Sequence, residues 1–91
     1  MKIPKSFNLA GTKWTVQEIS NLSACGETHV HEALIKIKAN MPKQSKEQTF
    51  LHELLHAIYY TRGDLGEHDE KEIDSTAHFL HQYLVQLYGK D

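Results

Sequence analysis

Residues 49–58, Thr-Phe-Leu-His-Glu-Leu-Leu-His-Ala-Ile, set His-Glu-x-x-His inside an apolar run that favours a helix. On a helix, His52 and His56 fall one turn apart on the same face. Two neutral imidazoles at that separation can hold one Zn²⁺. Glu53 between them then stands where it can take a proton from a water at the metal. At about 100° per residue, Phe50, Leu51, Leu54, Leu55, Ala57 and Ile58 cover one broad arc of this helix. His52, Glu53 and His56 fall on the remaining arc with Thr49, Tyr59 and Tyr60. The helix is therefore predicted to have a side that packs and a separate side that carries the motif.

Chance has to be weighed, because the chain is rich in histidine. Seven His and eight Glu in 91 residues produce roughly 0.05 such motifs at random, so context must carry the argument. The motif face supplies some of that context. No basic side chain lies between Glu47 and Arg62, whereas an ordinary solvated helix face carries Lys and Arg.

A third metal donor is expected from a second helix. Asp69-Glu70-Lys71-Glu72 offers a capping box with Asp69 as N-cap, and Ile73, Thr76, Ala77, Leu80, Tyr83, Leu84 and Leu87 then keep a helical period to Tyr88. The apolar stripe centres near Ile73, Ala77, Leu80 and Leu84. Glu70 lies at the edge of that stripe and is the preferred third ligand, with Glu72, His68, Asp69 and His78 as alternatives. Acids at a helix start also stabilise the positive end of its dipole, which is reason enough for any one of them. Asp74, one turn beyond Glu70, is spaced to hold the second ring nitrogen of a ligating histidine. Tyr60, Arg62, His78 and His81 are candidate donors to an oxyanion, and the sequence does not choose among them.

The remaining chain reads as a small sheet. Residues 3–19 alternate around the turn Ala10-Gly11-Thr12 as a hairpin, with Trp14 as a core anchor. Residues 20–28 read as a loop containing Cys25, and 29–39 as a third strand with Ala33, Ile35 and Ile37 on one face. Lysines on its other face suit an edge strand, able to hold an extended peptide. Pro42 breaks that strand, Ser45 and Gln48 form a capping box that starts the motif helix near Lys46, and Gly63 ends it. The predicted fold class is α+β: a three-stranded antiparallel sheet packed on two helices, as a single domain over 1–91.

Composition narrows the setting. The net charge is −2 and the lysines are scattered, so no nucleic-acid partner is expected. No apolar run reaches the roughly 18 residues of a membrane span, and Met1-Lys2-Ile3-Pro4-Lys5 leads into no apolar leader core. A lone Cys25 can form no internal disulfide, which suits a reducing cytoplasm.

His52-Glu53-Leu54-Leu55-His56-Ala57-Ile58, preceded by Thr49-Phe50 and followed by Gly63, resembles the helix of small zinc metallopeptidases of phages and mobile elements, the ImmA/IrrE-like minimal gluzincins. Asp69-Glu70-Lys71-Glu72-Ile73-Asp74 with Ala77-His78 is similar to their glutamate-bearing helix, and Ile35-Lys36-Ile37 before the motif matches their layout. The resemblance spans about residues 29–88. It implies a minimal zincin-like domain with His52, His56 and Glu70 as zinc ligands, Glu53 as general base, and a protein or peptide substrate. The resemblance is to the minimal domain, so none of the appended domains of many members is expected. The competing expectation is a zinc-binding interaction module without turnover, and a third is a helical protein with no metal.

Overall fold

A computed structural model describes residues 1–89. Its elements run β1 Ser6–Leu9, β2 Thr12–Ile19, β3 Gly26–His29, β4 Leu34–Lys38, α1 Lys43–Thr61 and α2 Glu70–Tyr88. The class is α+β, as the sequence predicts, but the sheet has four strands in the order β1-β2-β4-β3 and is mixed. β1 and β2 are antiparallel, β2 and β4 parallel, and β3 and β4 antiparallel.

The hairpin forms as its alternation requires. Ala10 and Gly11 both take positive φ, at 48° and 83°, which matches the right-handed strand twist. Phe7 stacks on Trp14 at 6.3 Å and meets Phe50 edge-on at 6.0 Å, tying β1 and β2 to α1. Ile35 and Ile37 of β4 are fully buried between sheet and helices, as their shared face requires.

Three expectations are corrected. Residues 20–28 are not all loop, since β3 begins at Gly26. The expected strand 29–39 is only Leu34–Lys38, because Val30–Ala33 form a turn with Ala33 at φ 49°. β4 is also interior, paired on both sides, so β3 is the edge. The polar segment Gly-Glu-Thr-His has no alternation to announce a strand. It pairs because β4 offers a ladder, with Thr28 opposite Ile35 and Gly26 opposite Ile37.

α1 starts at Lys43, three residues before Lys46. Pro42 is the N-cap and no side chain caps the helix, so the Ser45–Gln48 box is not used. Pro42 presets a φ of −56° and its carbonyl accepts from Lys46 N–H. The far end closes as Gly63 predicts. Gly63 N–H bonds to Tyr60 O and Asp64 N–H to Tyr59 O, with Gly63 at φ 93°. Asp69 caps α2 by accepting from the backbone of Lys71 and Glu72.

α1 and α2 form an antiparallel hairpin, with Glu70 beside His56 and His81 beside Glu47. The buried seam of α2 is Ile73, Ala77 and His81, and Leu80 lies outside it at 38 % exposed. Among the described residues no helix is long and apolar enough to cross a membrane.

Candidate metal centre

His52 and His56 project from successive turns of α1, with ring centroids 5.1 Å apart. Glu70 opens α2, and the hairpin delivers its carboxylate across the gap. His52 Nε2 lies 3.4 Å from Glu70 Oε1, and His56 Nε2 lies 2.9 Å from Glu70 Oε2. All three donors fall within 4.8 Å of one another. Bonds of about 2.0–2.2 Å in a tetrahedral zinc site put donors roughly 3.4 Å apart, so the set fits zinc with small side-chain adjustments. Two nitrogens and one carboxylate leave a fourth position open.

The outer nitrogens of both rings are engaged. Asp74 Oδ1 lies 3.3 Å from His52 Nδ1, and His78 stands behind Asp74 at 3.6 Å. The Nδ1 of His56 meets the Nδ1 of His68 at 2.6 Å. Burial pushes the His56 imidazole below its ordinary pKa. The carboxylates of Glu70 and Glu53 oppose that shift, and His52 and His68 reinforce it. A depressed pKa favours the neutral ring that a metal needs.

Glu53 does not lie on an open polar face. It is 8 % exposed and turns toward β3, where Thr28 Oγ1 lies 2.7 Å from its Oε1. Gly26 leaves room for it: a Cβ there would stand 2.6 Å from Thr49 Cγ2 and 2.9 Å from Glu53 Cγ. Sequence reasoning missed Gly26 and Thr28, and no motif would have found them, because β3 meets α1 only in the folded chain. A cleft of about 460 Å³ borders these groups, lined by Gly26, Thr49, His52, Glu53, Glu70 and Asp74.

The other candidates separate. Glu72 and Asp69 serve the start of α2, where Asp69 caps it, and neither joins the three-donor cluster. His78 lines the cleft and is half exposed. Tyr60 stacks beside His56 at 6.4 Å and meets His68 at a tilt, with centroids 4.8 Å apart. Arg62 lies over the Tyr59 ring at 5.4 Å. His81 is buried, bonded to Glu47 Oε1 at 2.7 Å, and at 1.5 Å per residue sits ~16 Å along α2 from Glu70. It is a packing group, not an oxyanion donor. A larger hollow of about 760 Å³ lies at that end, beside Phe79, Glu47 and His81, away from the three donors.

Comparison of the chain with family models, with curated proteins and with solved structures returned no match in any of the three.

Proposed function

We propose that the chain is a zinc-dependent metallopeptidase of the small ImmA/IrrE-like type, acting on a protein or peptide in the cytoplasm. One observation carries the reading. A three-donor set with an open position lies beside a buried glutamate that is oriented by a separate element. A purely structural zinc site favours four closed protein ligands and has no use for such a carboxylate.

His52, His56 and Glu70 would hold the metal. Zinc held there supplies Lewis acidity to a water and to the substrate carbonyl. Glu53 takes the proton of the attacking water and delivers it to the leaving amine, and Thr28 aims the carboxylate for both transfers. His52 and His56 would each turn Nε2, the nitrogen facing Glu70, toward the metal. The edge of the sheet beside Glu53 is β3, so an extended substrate would add there rather than to β4. Of the candidates to face an oxyanion, His78 lines the cleft, and Tyr60 stands beside His56.

A second reading, a zinc-fixed interaction module without turnover, is favoured by the outer face of α2. Phe79, Tyr83, Leu87 and Tyr88 are each more than half exposed there, and from Ser75 to Gly89 the helix carries no Lys, Arg, Asp or Glu. Zinc-loaded wild type and Glu53→Gln, incubated with a mixed peptide library, separate the two. The peptidase reading expects one zinc per chain in both proteins and cleavage by wild type alone. Equal cleavage by both would remove Glu53 from the chemistry, and cleavage by neither would favour the interaction module.

A further inference from the structure

His68 lies in the loop that joins the helices, and no metal role is left for it once Glu70 completes the donor set. Its two ring nitrogens are nevertheless both engaged. Nε2 lies 2.9 Å from the backbone carbonyl of Asp64, and Nδ1 lies 2.6 Å from Nδ1 of His56. A carbonyl oxygen only accepts, so Nε2 of His68 carries a hydrogen. In a neutral imidazole the other nitrogen is then a lone pair. His56 Nδ1 must therefore donate to it, which leaves the lone pair of His56 on Nε2. That nitrogen is the one 2.9 Å from Glu70, on the metal side.

Ring packing restricts the same pair. His56 and His68 stack at 4.9 Å with 23° between planes, Tyr59 meets His68 edge-on at 5.1 Å, and Tyr60 closes on it at 4.8 Å. The loop end is anchored by Gly63 and Asp64 bonding back onto α1, which fixes the carbonyl that His68 reads.

We propose that His68 is a positioning residue: by accepting the Nδ1–H of His56 it holds that imidazole in the tautomer and orientation whose Nε2 faces the metal. The inference rests on the zinc reading above. It gives the two ligating histidines different outer partners, the Asp74 carboxylate for His52 and a neutral imidazole for His56.

The test uses the full chain with ¹⁵N-labelled histidine, in zinc-loaded wild type, together with zinc affinity by chelator competition. An N–H···N bond transmits a scalar coupling between the two Nδ1 nuclei, and that coupling is expected. His68→Phe keeps a stacking ring and removes the acceptor, so zinc affinity should fall by about 10–100-fold, the usual effect of losing such a partner. His68→Asn puts an amide oxygen near the Nδ1 position and should recover most of that loss. Melting of the metal-free proteins reports folding separately. Wild-type affinity in His68→Phe, or no coupling in a wild type that holds zinc, would overturn the role of His68 alone. A wild type that retains no zinc would overturn the metal reading and this inference with it. Should the Phe variant fail to fold, the wild-type coupling and the Asn variant still decide.

Discussion

Thr28 and Glu53, 25 residues apart in the chain, meet with Oγ1 2.7 Å from Oε1. The Thr28 hydroxyl has one proton and two acceptors on Glu53, the carboxyl at 2.7 Å and the backbone carbonyl at 3.1 Å. The shorter contact goes to the carboxyl, so β3 sets the direction of the proposed base. Thr28→Val keeps the shape and removes the donor. It should lower peptide turnover by about 10-fold or more with zinc content unchanged, read from steady-state cleavage and metal analysis. Turnover equal to wild type would show that Thr28 does not orient Glu53.

Gly26 is needed for space. In Gly26→Ala the new methyl meets Thr49 and Glu53 below 3.0 Å, so β3, Thr49 or Glu53 must shift. Overpacking of this kind costs about 1–3 kcal/mol, and turnover should fall further than stability explains. Adding Thr49→Ala removes the nearest clash. Denaturant melts of the double variant should show part of the stability restored, and additive losses would refute the contact.

Glu70 and Glu72 share the first turn of α2, but only Glu70 joins the donor cluster. Chelator competition should find zinc affinity in Glu70→Ala reduced by more than the ~100-fold typical of losing an outer partner. Glu72→Ala should stay within a few-fold of wild type. The reverse order would exchange their roles.

His56 links stability to pH. Its folded pKa is depressed, so below the unfolded value of about 6.5 the unfolded chain binds more protons than the folded one. The contribution of this group is fully present above ~6.5 and is lost as pH falls through the folded pKa. Metal-free wild type should melt lower as pH drops below that point, and His56→Gln should show a shallower decline over the same window. Identical pH profiles would mean that His56 is not desolvated as its surroundings require.

His81 and Glu47 join the two helices at the end away from the three-donor cluster. His81→Leu leaves the buried Glu47 without its 2.7 Å partner, at a cost of about 1–3 kcal/mol. Zinc affinity of the folded variant should match wild type. A large loss of affinity instead would tie this pair to the site.

Much of the helical half was legible. The spacing of His52 and His56, the stop at Gly63 and the Asp69 cap are local, because each depends on neighbours within one or two turns. The phase of Glu70 and Asp74 on α2 was legible for the same reason. Helix phase misled at two places. Glu53 shares the arc of His52 and His56 yet is covered by β3, and His81 takes the buried seam where the apolar pattern pointed to Leu80. A polar residue can occupy a buried position when a partner satisfies it, and no sequence pattern displays a partner 34 residues away.

By itself, then, the sequence determined the α+β class, the hairpin, both helices and the histidine spacing, since local backbone preference and hydrophobic period decide those. The tertiary structure alone decided the fourth strand, the parallel pairing of β2 with β4, and the shell around the site. Gly26 and Thr28 on Glu53, and His68 on His56, come together through contacts between elements, and their residue types carry no period from which such contacts could be read. The donors are written into the helices, whereas their orientation comes from β3 and the loop that pack against them.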